Sequence, residues 1–184
     1  MRKIREEFNM KMKKNLTLLT VIITVIIGYG FTNKVSANTI QKEVEIARVY
    51  NPNTGEHLFT PSIFEKSYLI DIGWKGEGTA FFVPDPTDTG TSSDNEPYLL
   101  RLYNPNAGEH FYTANGYEAN YLVSLGWRRD LVTIPTAKKG IPAYRLYNPN
   151  AKVGSHHYTT SAYERDSLVK VGWKYEGVGF YVLR

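Results

Sequence analysis

Apolar and polar positions change period on a fixed schedule in this chain. A strand-like run at Arg48–Tyr50 leads into the turn Asn51-Pro52-Asn53-Thr54-Gly55, and a second run ends at Phe59-Thr60. Apolar residues then recur at helical spacing as Phe64, Tyr68, Leu69 and Ile72, and a last run occupies Thr79–Val83. Alternation marks half-buried strands, and spacings of three and four mark one face of a helix. The expected order is strand, turn, strand, helix, strand.

The schedule occurs three times. Tyr103-Asn104-Pro105-Asn106-Ala107-Gly108-Glu109-His110 and Tyr147-Asn148-Pro149-Asn150-Ala151 followed by Gly154-Ser155-His156 reproduce the first turn, the third with two extra residues. His57, His110 and His156 each stand 17 residues before a Gly-Trp tryptophan, namely Trp74, Trp127 and Trp173. Ser62, Asn115 and Ser161, each followed three residues later by Glu, fit helix N-caps. Apolar faces are expected at Tyr117, Tyr121, Leu122 and Leu125 in the second helix and at Tyr163, Leu168 and Val171 in the third. Gly73, Gly126 and Gly172 sit where a left-handed residue ends a helix. Last strands are expected at Leu131–Ile134 and Val178–Leu183. A unit of about 38 residues cannot bury its own apolar face. The expectation is an α+β domain over 47–184, in which three ββαβ-like repeats (about 47–84, 98–136 and 142–184) share one core with pseudo-threefold symmetry. Residues 38–46 read as a lead-in and 85–97 as a flexible insert rich in Asp, Thr, Ser, Gly and Pro.

Charge changes the picture at the N-terminus. The chain holds 22 basic and 18 acidic residues, but residues 1–37 hold seven of the basic and two of the acidic ones. The remaining 15 basic and 16 acidic residues give the repeats no excess from which to build a nucleic-acid footprint, so that class is excluded. Lys11-Met12-Lys13-Lys14, the apolar stretch Leu16–Phe31 and the small residues Val35-Ser36-Ala37 read as an export signal over 1–37, with an uncleaved anchor as the alternative. The expected localisation is secreted or extracellular, with association with the cell wall as a variant, and with membrane contact only through the signal segment. The absence of Cys excludes disulfide scaffolds, Cys-ligated metals and thiol nucleophiles.

The repeated Tyr-Asn-Pro-Asn-x-Gly-Glu-His-Phe-Tyr-Thr … Gly-Trp pattern resembles a repeat family of secreted, mostly Gram-positive bacterial proteins. Its members commonly carry the repeat in triplets, often appended to hydrolases of cell walls or polysaccharides. The resemblance implies an extracellular accessory or binding module. Unit two departs from it with Arg129-Asp130-Leu131 where the others have Glu77-Gly78 and Glu176-Gly177, and unit three has Ser155 for Glu56 and Glu109.

Candidate chemistry follows the repeats. Flat aromatic faces with amide and carboxylate neighbours suit sugar recognition, and Tyr50, Tyr103, Tyr147, Trp74, Trp127 and Trp173 offer them three times over. For the three Trp the favoured reading is a core plug after the helix-ending Gly, with sugar contact as the alternative. His57, His110 and His156 share one register position and are candidate ligand contacts. Three converging imidazoles would suit a zinc-like ion, but the favoured reading has each ring tying down its own turn or packing on its own Trp, with no metal bound. Glu56, Glu77, Glu109, Asp130 and Glu176 would supply glycosidase carboxylates, yet repetition argues against a unique active site. No cofactor motif is present. The reading is a secreted, non-catalytic module binding an extracellular glycan or cell-envelope polymer. Its rivals are a protein-interaction module and a small hydrolase.

Overall fold

The computed structural model describes residues 42–87 and 97–184. The expected signal segment and the 88–96 part of the insert lie outside the described residues. Unit one comprises β1 (Glu43–Tyr50), β2 (His57–Thr60), α1 (Ile63–Asp71) and β3 (Lys75–Pro84). Unit two comprises β4 (Tyr98–Asn104), β5 (Glu109–Thr113), α2 (Gly116–Ser124) and β6 (Arg128–Pro135). Unit three comprises β7 (Ile141–Tyr147), β8 (His156–Thr159), α3 (Ala162–Lys170) and β9 (Lys174–Val182). Each unit is a three-stranded antiparallel sheet with its first strand in the middle, in the orders β2-β1-β3, β5-β4-β6 and β8-β7-β9. The fold is therefore mixed α+β, built of three similar units. The first strand starts at Glu43, inside the expected lead-in. Among the described residues no helix is long and apolar enough to cross a membrane.

Local chemistry explains the repeated boundaries. In each turn the first Asn accepts from a backbone N–H two residues on (Asn53, Asn106 and Asn150, each at 3.0 Å), the Asx geometry that makes Asn a turn former. Ser62 and Ser161 accept from the N–H of Glu65 and Glu164 at 3.2 Å, and Asn115 accepts from Tyr117 and Glu118. The reciprocal half of the capping box is absent. The N-cap N–H groups of Ser62, Asn115 and Ser161 donate instead to Thr60, Thr113 and Thr159, which releases Glu65, Glu118 and Glu164 for other partners. At the other end Gly73, Gly126 and Gly172 have φ of 102°, 97° and 102°. The N–H of Trp74, Trp127 and Trp173 then returns to the carbonyls of Leu69, Leu122 and Leu168, a Schellman closure that satisfies the last carbonyls.

The helices depart from expectation in which face they bury. Phe64, Tyr117 and Tyr163 are 85%, 82% and 84% exposed, and Tyr68, Ile72, Tyr121, Leu125 and Val171 are exposed with them. Only Leu69, Leu122 and Leu168, half-buried, and the buried Ala119 turn inward. The apolar period is real, but it runs along the solvent side. The inner side is held by the released glutamates, so its contacts are largely polar.

The shared core comes from the sheets. Ile46, Phe59, Phe81 and Val83 of unit one pack with Leu99, Tyr112 and Ile134 of unit two and Ala143, Tyr158, Phe180 and Val182 of unit three. At its centre Phe59, Tyr112 and Tyr158 occupy one register position. Their ring centroids lie 5.6, 5.8 and 6.0 Å apart, edge to face, the arrangement aromatic quadrupoles favour. The Tyr112 hydroxyl accepts from the Phe59 N–H at 2.8 Å and donates to the Phe59 carbonyl at 2.9 Å. The Tyr158 hydroxyl donates to the Tyr112 carbonyl. Burial pushes both phenols well above their ordinary pKa, so both stay protonated donors. Phe59 has no hydroxyl with which to continue the series.

Tyr112→Phe strands the buried Phe59 N–H and carbonyl and is expected to cost about 1–3 kcal/mol of stability in urea denaturation. An unchanged midpoint would mean these groups find other partners.

Candidate functional site

Between units the polar contacts recur in one sense. Arg48, Arg101 and Arg145 stand at the middle of the three first strands, two residues before the turn tyrosines. Arg101 is 3% exposed and donates to Asp130 of its own unit at 2.7 Å and through both terminal nitrogens to Glu65 of unit one at 2.8 Å. Arg145 joins Glu176 of its own unit to Glu118 of unit two, and Arg48 joins Glu77 of its own unit to Glu164 of unit three. Each helix-starting glutamate thus serves the next unit. Burial pushes the carboxyls of Glu65, Glu118 and Asp130 up, but hydrogen bonds from Arg101, Thr113 and Arg145 outweigh it, and all three sit below the ordinary range. A hydrogen bond from His157, working against burial, holds Glu164 at about 2.

The turns form a second tier. Each turn tyrosine lies over the histidine opposite it in the ladder: Tyr50 on His57 at 4.9 Å, Tyr103 on His110 and Tyr147 on His156 at 5.1 Å. The histidines also meet the neighbouring unit. His110 takes Glu56 on its N–H at 2.7 Å and on Nδ1 at 2.9 Å, His156 packs edge-on against Phe111, and His57 packs against His157 at 4.6 Å. His157 fills the buried place held by Leu58 and Phe111 in the other units. Its Nε2 faces Glu164 at 3.2 Å, and its Nδ1 has no partner. Burial first, then the nearby His157 and Arg48 charges, press His57 down to about 3. Burial likewise lowers His156, against the pull of Glu176. Among the described residues no group of His, Asp and Glu is arranged to hold a metal ion.

A cleft of about 570 Å³ opens between the turn of unit one and the longer turn of unit three. Tyr50, Asn53 and His57 of unit one and Asn148, Lys152 and Trp173 of unit three line it. Gly154, at φ +65°, lies so close to unit one that a Cβ would stand 2.6 Å from the Glu56 Cα. A side chain there would drive the two turns apart.

The model of the family described as Domain of unknown function (DUF5648) matches residues 44–183. The chain belongs to that family. No curated protein and no solved structure matches it. The family description names no chemistry, so the site rests on its residues.

Of the expected site residues, the fold brings Tyr50, His57 and Trp173 into one cleft. Tyr103, Tyr147, His110, His156, Trp74 and Trp127 do not line it. The three tryptophans are half-buried rather than core plugs, and Trp127 packs on Phe111 in a small separate cluster with Leu102 and Ala119. Sequence reasoning missed the arginines, although their place two residues before each turn Tyr was a signal. It also missed His157, and it noted the two-residue insertion in the third turn without singling out Lys152.

Arg101→Ala leaves Glu65 and Asp130 without their shared cation and is expected to cost about 3 kcal/mol. Arg101→Lys should recover part of that loss, because an ammonium keeps the charge but not the fork. A loss below about 0.5 kcal/mol would mean that the bridge does not hold the units together.

Acid should unfold the protein in two stages. His57 titrates near 6.5 when unfolded and near 3 when folded, so stability falls as pH drops from 6.5 toward 3. The Glu164 contribution is lost lower, as pH falls from 4.5 toward 2. In urea midpoints against pH, His57→Gln combined with His156→Gln should flatten the upper stage alone. An unflattened upper stage would mean these rings are not held neutral.

Proposed function

We propose that the protein is a secreted, non-catalytic module that binds an extracellular glycan or cell-envelope polymer in the cleft between units one and three. The observation that carries this reading is that Tyr50 and Trp173, from two different units, line one open cleft together with Asn53 and Asn148. Aromatic faces meet the apolar side of a sugar ring, and amides exchange hydrogen bonds with its hydroxyls. The three units are arranged with pseudo-threefold symmetry, and the cleft forms where their equivalence breaks. The resemblance to secreted repeats that accompany wall and polysaccharide hydrolases supports an extracellular setting.

The carboxylates favour binding over hydrolysis. Asp130 is tied to Arg101 and held below the ordinary range, the reverse of what a general acid needs. Glu56 and Glu109 are buried on the backbone and side chains of the next unit.

A second reading, protein interaction, draws on the exposed helix stripes. Phe64, Tyr117 and Tyr163 are large, equivalent in position and bare of internal partners, which marks surfaces that bury something else.

Depletion of the purified repeats by insoluble cell walls and a polysaccharide panel tests the proposal. Tyr50→Ala should lose retention, while Tyr103→Ala, which removes the equivalent ring from unit two, should lower stability comparably and keep retention. Retention that survives Tyr50→Ala but disappears when Phe64, Tyr117 and Tyr163 are all changed to Ser would transfer binding to the helices. Failure to bind any polymer would favour the protein partner.

A further inference from the structure

The junction between units three and one differs from the other two in charge. Glu56 crosses from unit one to the His110 N–H, and Glu109 crosses from unit two to the Ser155 N–H at 3.0 Å and hydroxyl at 3.2 Å. Two of the three turn junctions are thus filled by a buried carboxylate. The third has Ser155 in the corresponding position. Its hydroxyl is turned back to Glu109 and to His156 of its own unit. No acidic side chain reaches unit one from this turn.

The same turn carries the insertion Lys152-Val153, which gives the cleft an exposed ammonium and an apolar flank. No Asp or Glu lines the cleft. Lys152 has no carboxylate partner among the described residues, whereas Arg48 behind the cleft is matched by Glu77 and Glu164. His57 is a neutral imidazole, able to donate or accept a hydrogen bond without adding charge. The one formal charge on the cleft wall is therefore positive.

We infer that the cleft selects an anionic glycan, one whose sugar bears a carboxylate or phosphate group that Lys152 pairs with while Tyr50 and Trp173 hold the ring. This rests on the glycan-binding reading and adds the ligand's charge to it. It also gives the insertion a role: removing a carboxylate and adding an ammonium at one junction of three converts a structural contact into an anion-tolerant site. Units one and two keep the short turn and the buried Glu.

The test uses the complete repeats and three soluble probes in affinity electrophoresis: polygalacturonate for the carboxylate, phosphomannan for the phosphate, and dextran as the neutral control. Native protein should be retarded by at least one anionic polymer, and added salt should weaken the effect. Lys152→Glu should weaken it about tenfold or more, Lys152→Gln by less, and Lys152→Arg little. Lys152 is exposed, so none of these changes should move the melting temperature, which is measured in parallel. Which anionic polymer responds identifies the anion. Dextran binding equal to that of the anionic polymers and indifferent to Lys152→Glu would overturn the charge selection while leaving glycan binding intact. Failure to bind any of the three, together with failure on insoluble walls, would overturn both.

Discussion

An arginine in the middle of each first strand cannot be satisfied within its own unit. Arg101 illustrates the constraint: nearly all of its surface is buried, its own unit supplies one carboxylate, Asp130, and the rest of its fork is filled by Glu65 of unit one. A buried cation with unfilled donors is costly. The neighbouring unit is therefore part of the arginine's coordination. The glutamate it supplies is free to cross because a threonine, Thr60, has taken over the N-cap N–H that a capping-box glutamate would otherwise bond. The chain of dependence runs from Thr to N-cap to Glu to the next unit's Arg, and it recurs at Glu118–Arg145 and Glu164–Arg48. The central rings add a second set of crossings through Tyr112 and Tyr158.

The units are similar rather than identical, and several of their differences gather at one junction. Phe59 lacks the hydroxyl that Tyr112 and Tyr158 use, Ser155 replaces a bridging glutamate, His157 replaces an apolar side chain, and Lys152-Val153 lengthens a turn. Three of these four lie in unit three, near its junction with unit one, and there the cleft opens. Repetition supplies the shared core, and local departures from repetition open a cleft beside it without disturbing that core.

What was legible in the sequence is what depends on near neighbours along the chain. Asx turns, N-caps at Ser62, Asn115 and Ser161, and the Schellman glycines all close within a few residues, and each was readable from spacing. The arginine bridges were not, because Glu65 and Arg101 stand 36 residues apart and Arg48 and Glu164 stand 116 apart. Periodicity showed that each helix has an apolar face but not which way it points. The stripe through Phe64 and Tyr68 faces outward while the adjoining side, with Glu65 and Leu69, turns inward, where Glu65 meets Arg101. The cleft gathers Tyr50, His57 and Trp173 from two units, a meeting that only the packing of the units defines.

No unit is stable without its neighbours, and native-state hydrogen exchange reads that dependence. Core amides at Val49, Leu102 and Leu146, one from the middle strand of each sheet, should exchange through a single global opening with a common free energy and a common denaturant dependence. Distinct free energies for the three sheets, with one opening while the others stay closed, would contradict it and make the units independent modules in contact.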